Sequence, residues 1–179
     1  MNMSRHDPLP NRLSMPNAAD SPHVPARHAL LFVCLGNICR SPLALWIVRD
    51  MARDRGVLDR LTLDSCGTGA WHAGGPADPR SMMIAQAHGH ETSHIARQFD
   101  ANADGGFDLL LAMDQSNVRT MVSRGAPPAK VRRFREFDPL AVASGDLDVP
   151  DPYHGGDEGF RDVYAMIRRA AAGLLDQLA

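Results

Sequence analysis

The residues His-Ala-Leu-Leu-Phe-Val-Cys at 28–34 form an apolar run with no polar alternation. A strand with one wet face alternates; a run that is apolar throughout fits the middle of a parallel sheet covered on both faces. Directly after it come Leu35, Gly36, Asn37, Ile38, Cys39 and Arg40, and then a helix start at Ser-Pro-Leu-Ala-Leu-Trp. Ser41 reads as the N-cap and Pro42 as the first helical residue, with Gly56 as the stop.

The alternation continues along the chain. Residues 60–67 and 107–114 read as further strands, and 130–137 as a strand with polar alternation. A Gly/Pro-rich loop leads to a short helix over 79–88, and Asp114 can cap a helix beginning at Gln115. Phe160, Val163, Ile167, Leu174 and Leu178 recur at helical spacing near the C-terminus. This order predicts an α/β fold, a parallel sheet with helices on both faces. Active sites of such sheets lie beyond the carboxyl ends of the strands, where Cys34, Ser65 and Asp114 fall.

A chain of 179 residues is most simply one domain, placed here at 29–179. Residues 1–28, with prolines at 8, 10, 16, 22 and 25, read as a disordered tail without the apolar centre of a signal peptide. A net charge of −2 argues against a nucleic-acid binder. Three cysteines form no paired framework, which favours a reducing cytoplasm. No run approaches the roughly 20 apolar residues of a membrane span.

The loop after the first strand carries the chemistry. Backbone N–H groups of Leu35 to Arg40 can turn inward at a helix N-terminus and make an anion site. Gly36 is expected to supply a backbone conformation closed to other residues. Arg40 adds a full positive charge and two parallel donors suited to phosphate. A thiol such as Cys34 in that field is expected to ionise readily. The loop therefore holds a tetrahedral dianion and presents a nucleophile to its phosphorus, which is phosphoryl transfer through a cysteinyl-phosphate. An acid must protonate the leaving oxygen, and Asp151, between Pro150 and Pro152, is the candidate.

"VCLGNICRSP", followed far downstream by "DPY", resembles the low-molecular-weight protein tyrosine phosphatases. The likeness extends to "SCGTGAWHAGGPADPRS", "HGHETSHIARQ" and "LAMDQSN". The resemblance implies a three-layer fold with a four-stranded parallel sheet, no metal, no cofactor and a double-displacement mechanism. It makes Cys34 the nucleophile, Arg40 the phosphate clamp, and Asp151 the acid and then the base. Ser41 would hydrogen-bond the Cys34 thiolate, and Asn37 would hold the loop in its strained shape. Ser65 and His88 would bond Asn37. Cys39 either packs under the loop or, as the resemblance implies, forms a protective disulfide with Cys34.

Blander readings stand beside these. Ser41 and Asp114 serve as helix caps on any reading, and Cys66 reads as core. His72, His88, His90 and His94 suggest zinc only loosely, because their spacing fits no zinc pattern. An arsenate reductase of the related Cys-x5-Arg family needs cysteines downstream, and none follows Cys66. A non-catalytic phosphotyrosine-binding or oxyanion-binding module would lack the nucleophile or the acid. Trp71 and Tyr153 are expected to border the pocket as two aromatic walls for a flat ring. His154 stands where relatives carry a second aromatic residue. The expected partners are tyrosine-phosphorylated proteins, among them a bacterial tyrosine kinase of exopolysaccharide export, with the enzyme a cytoplasmic monomer.

Overall fold

The computed structural model describes residues 27–178. The expectation of a disordered tail therefore falls, for residues 1–26, outside the described residues. The elements follow in the order β1 (His28–Cys34), α1 (Arg40–Asp54), β2 (Leu61–Gly67), α2 (Pro79–Ala87), α3 (Ala101–Asp104), β3 (Leu109–Ala112), α4 (Gln115–Ser123), β4 (Val131–Arg133), α5 (Pro139–Ser144) and α6 (Asp157–Leu178). The four strands are all parallel, in the order β2-β1-β3-β4.

The apolar run 28–34 is central for the reason its composition suggests. Leu30, Leu31, Phe32 and Val33 have no solvent exposure. Successive side chains point to opposite faces. Leu30 and Phe32 join a core with Trp46 and Ile47 of α1 and Ile167 and Leu174 of α6. Leu31 and Val33 join a second core with Phe99, Leu110 and Met121. The amphipathic reading of the last helix also holds, since Phe160, Val163, Ile167 and Leu174 are buried and Leu178 packs at the edge.

The long fourth strand expected at 130–137 is not formed. β4 ends at Arg133, and residues 134–137 make a turn of 3₁₀ helix. Phe134 and Phe137 are both buried in the α1/α6 core, and Phe134 meets Phe32 edge-on at 5.3 Å. Residues three apart share one side of a 3₁₀ helix, whereas a strand would send them to opposite faces. Burial of both rings therefore selects the turn. The stretch after it also contains a helix the sequence did not announce: α5, capped by Asp138, whose carboxylate accepts from the Leu140 N–H at 3.0 Å.

Helix α1 begins one residue before the expected cap. Cys39 occupies the N-cap position without a side-chain hydrogen bond. Ser41 is thereby freed from capping, and its hydroxyl turns to the loop.

Candidate active site

The loop 35–39 leaves β1 and is fastened by the segment that follows β2 and by the start of α2. The N–H of Thr68 donates to the Cys34 carbonyl at 2.8 Å, and that of Gly69 to the Leu35 carbonyl at 2.7 Å. Asp78 N–H takes the Ile38 carbonyl at 2.8 Å, and the Ser81 hydroxyl takes the Cys39 carbonyl at 3.2 Å. With its carbonyls fastened outward, the loop presents its amides to the interior of the turn. The Asn37 N–H donates to Cys34 Sγ at 3.2 Å. The N–H groups of Leu35, Gly36, Ile38 and Cys39 have no acceptor among the described residues. Buried backbone amides are nearly always paired, so converging unpaired ones make an anion cradle.

The strained residue is Asn37, not Gly36. Asn37 is the one non-glycine residue at positive φ among the described residues, at 57°. Four contacts hold it there. Its Nδ2 donates to Ser41 Oγ at 2.9 Å and to Ser65 Oγ at 3.0 Å. Its Oδ1 accepts from the Arg97 N–H at 2.9 Å, and its carbonyl accepts from His94 Nε2 at 2.7 Å. Asparagine is among the residues that tolerate this region, and here its amide satisfies three partners. At Gly36 a Cβ would sit 3.0 Å from the His72 ring, which would have to give way slightly. Gly67 is tighter still: a Cβ would meet the backbone of Leu35, Gly36 and Asn37 at 2.8–2.9 Å.

His88 does not reach Asn37. It ends α2, bonds the Ile84 carbonyl through Nδ1 and stacks on Tyr164 at 4.0 Å. The N-terminal end of α2 is the one that touches the loop, and nine helical residues carry His88 about 13 Å away from it. His94 takes the place, because the extended segment after α2 returns along the loop. Both histidines stand in one quoted motif, and only the path of the chain separates them.

His94 also carries a pH dependence. Donation to a carbonyl fixes a proton on Nε2, and burial depresses its pKa below the ordinary histidine value, only partly opposed by that hydrogen bond. The unfolded chain then binds a proton more readily than the folded one. Stability due to His94 is complete above the unfolded value and declines as pH falls through about 6.5 towards the lower folded value. His94→Gln, which keeps an N–H donor, is expected to lose less stability than the parent between pH 7 and pH 5. Urea unfolding at the two pH values measures this, and an equal decline in both proteins would refute it.

The Asn37 N–H donates to the Cys34 sulfur, and the Ser41 hydroxyl, which also reaches the Cys66 carbonyl at 3.3 Å, lies 3.1 Å from it. Arg40 is 2% exposed at the mouth of the loop. Its Nη1 donates to Asp114 Oδ2 at 2.7 Å and to the Val149 carbonyl at 3.1 Å, and its Nη2 to Asp151 Oδ2 at 2.7 Å. Its buried Nε has no partner among the described residues. Burial alone would lower the guanidinium, but the charges of Cys34, Asp151 and Asp114 outweigh it and raise its pKa. Asp114 thus has two tasks. One oxygen caps α4 by accepting from Asn117 N–H at 2.7 Å, and the other orients Arg40. The sequence reading saw the cap and missed the second task, although the position beyond the end of β3 could have suggested it.

The cleft over the loop is lined by Cys34, Arg40, Trp71, His72, Asp151 and Tyr153. Trp71 is 76% exposed and Tyr153 42%, so both present ring surface to solvent at its rim. His154 meets Tyr153 edge-on at 5.0 Å. Cys39 packs with Ile38, Ala96 and Phe160. Burial first, then the charges of Asp78, Cys34 and Asp151, push its thiol up to about 12. The remaining cysteine, Cys66, is fully buried in the second core, as expected. His90 lies between Asp50 at 2.7 Å and Tyr164 at 2.9 Å. His88 and His90 thus share Tyr164, while His94 alone of the three reaches the loop.

Fold and site together define an α/β protein with a cysteine-centred oxyanion loop between its first strand and first helix. The family model described as low molecular weight phosphotyrosine protein phosphatase matches residues 29–179. A low molecular weight protein-tyrosine-phosphatase of Streptomyces coelicolor is 45% identical over 152 residues, covering 83% of this chain and 92% of that protein. The crystal structure of a protein tyrosine phosphatase from Entamoeba histolytica superposes with a TM-score of 0.79 at 32% identity, over 84% of this chain and 96% of that one. A Drosophila arginine phosphatase superposes with a TM-score of 0.75 at 28% identity, over 83% of this chain and 96% of that one. The chain belongs to the low molecular weight phosphotyrosine protein phosphatase family.

Proposed function

We propose that this protein hydrolyses phosphotyrosine in proteins through a cysteinyl-phosphate, with Cys34 as nucleophile, Arg40 as clamp and Asp151 as acid and base. The observation that carries the reading is Cys34 Sγ accepting from the Asn37 N–H, in a turn whose other amides are unpaired among the described residues, with Arg40 lining the same cleft. The phosphoryl oxygens sit in the amides of Leu35 to Arg40, and the guanidinium turns from Asp151 to the phosphate. Cys34 attacks phosphorus as the bond to the phenolic oxygen breaks, and Asp151 gives that oxygen a proton. Asp151 then takes a proton from water as the water attacks phosphorus, and the P–S bond breaks to return the thiolate. Ser41 steadies the departing sulfur through the contact it already makes.

Trp71 and Tyr153 form the walls of the substrate slot. A flat phenyl ring between them reaches the loop, whereas a phosphoserine side chain is too short to carry its phosphate to Cys34. The arginine phosphatase among the similar structures makes phosphoarginine the competing substrate. The test is kcat/KM on one peptide carrying phosphotyrosine, phosphoserine or phosphoarginine. Preference for phosphotyrosine by about 100-fold is expected; comparable efficiency on either of the others would overturn the assignment. An arsenate reductase would need a downstream thiol to carry oxidation away from the loop, and Cys66, the one cysteine beyond it, is buried in the core. By resemblance, the cellular substrates include a bacterial tyrosine kinase of exopolysaccharide export, met by a monomer in the cytoplasm, where three unpaired cysteines stay reduced.

The site also carries a proposed redox response. Peroxide converts the Cys34 thiolate to a sulfenic acid. The Cys39 thiol then displaces its hydroxyl as water, leaving a Cys34–Cys39 disulfide that a dithiol reduces. A Cys39 thiol held protonated makes capture the slow step. Cys39→Ser is expected to recover less activity than the parent after mild peroxide and a dithiol. Equal recovery, with no loss of two mass units in the oxidised parent, would leave Cys39 a packing residue only.

A further inference from the structure

Arg80 lies in the first turn of α2, outside the set of residues given a role so far. Its inner edge is fixed to Asp78: Nε donates to Oδ1 at 3.0 Å and Nη2 to Oδ2 at 2.8 Å. Its outer edge crosses to the segment that bears Asp151. Nη2 donates to the Tyr153 carbonyl at 3.1 Å and Nη1 to the Gly155 carbonyl at 3.2 Å. The guanidinium lies 4.5 Å from the centre of the Phe160 ring and 5.7 Å from that of Tyr153. Asp78, at the other end of this chain of contacts, holds the Ile38 carbonyl of the phosphate loop through its own N–H.

Among the described residues, the side-chain hydrogen bonds that reach segment 151–156 from outside come from Arg40 and Arg80 alone, beside the Gly159 N–H that donates to the Gly156 carbonyl at 3.1 Å. These two links behave differently when substrate arrives. The Nη2 of Arg40 cannot hold Asp151 and grip a phosphate oxygen along the same direction. Its contact with Asp151 is given up at the moment the acid is needed. The contacts of Arg80 involve only carbonyls and Asp78, so a phosphate in the loop leaves them in place.

We propose that Arg80 is a positioning residue, a strut that keeps Asp151 over the Cys34 loop once Arg40 has turned to the phosphate. The proposal rests on the reading of Asp151 as the acid. An arginine suits the task because its planar fork satisfies a carboxylate on one edge and two carbonyls on the other. A lysine ammonium keeps the charge but not that span.

The strut acts only through proton donation, so its loss is read in the dependence on the leaving group. An activated phenol departs almost unaided, whereas an unactivated one needs the proton. The measurement is the ratio of kcat/KM for p-nitrophenyl phosphate to that for phenyl phosphate. Arg80→Met, which retains an apolar chain over Phe160, is expected to raise this ratio at least tenfold over the parent, and Arg80→Lys to raise it less. In an Asp151→Asn background, adding Arg80→Met should change the ratio less than twofold, because no acid remains to be misplaced. A ratio within twofold of the parent in Arg80→Met, or an equal fall on both substrates in both backgrounds, would overturn the strut. If Asp151→Asn alone leaves the ratio at the parent value, the acid assignment itself fails and the strut with it.

Discussion

Cys34→Ser is expected to lower turnover of an aryl phosphate by about four orders of magnitude or more, while the protein still binds phosphate and vanadate. In the parent, the Asn37 N–H donates to Sγ and the Ser41 hydroxyl lies 3.1 Å from it. A serine hydroxyl holds its proton at any working pH, so the same groups meet a neutral oxygen and a poor nucleophile. The cradle itself does not depend on the sulfur. Its carbonyls are held by Thr68, Gly69, Asp78 and Ser81, and its strained residue by Ser65, Arg97 and His94. Calorimetric titration with vanadate beside steady-state turnover separates binding from chemistry. Turnover above a few per cent of the parent's in pure Cys34→Ser protein would exclude the covalent route.

Arg40→Lys should come next, with a loss in kcat/KM of about three orders of magnitude. That is the range a guanidinium contributes when it stabilises charge on a transferring phosphoryl group. Charge is conserved in this exchange, so the loss measures geometry. The guanidinium reaches Asp114, the Val149 carbonyl and Asp151 at once, and leaves Nε free towards the loop. An ammonium on a flexible stem cannot keep that orientation and grip two phosphate oxygens. Vanadate affinity should fall together with kcat. A loss below tenfold would show that the amides alone hold the phosphate, and that Arg40 serves mainly to orient Asp151. Asp114→Asn should reproduce part of the effect, because it weakens the contact that aims the fork.

Much of this site can be read in the sequence, since its densest part is local. Cys34 to Ser41 are eight consecutive residues between a strand and a helix, and their order already implies amides, a thiol and a guanidinium around one anion. Ser65 could be placed because it ends a strand that must lie beside the first. His88 and His94 could not be told apart, because the choice depends on where α2 points and how the chain returns from it. Gly36 was misjudged for a related reason. A glycine suggests freedom of backbone, but positive φ belongs to the residue whose side chain is best held, and the four contacts on Asn37 come from distant segments.

Sequence alone therefore determined the class of fold, the buried central strand, the faces of the helices and the pairing of a cysteine and an arginine in one loop. Those follow from periodicity and adjacency, which are properties of a chain before it folds. Tertiary structure decided which groups converge from far apart: Asp114 and Asp151 on Arg40, His94 and Arg97 on Asn37, and Arg80 between two loops. It also turned residues 134–137 from strand to 3₁₀ helix, because two phenylalanines three apart had to enter one core. Hydrogen bonds between distant segments form only when packing brings both ends within about 3 Å, and no local pattern encodes that meeting.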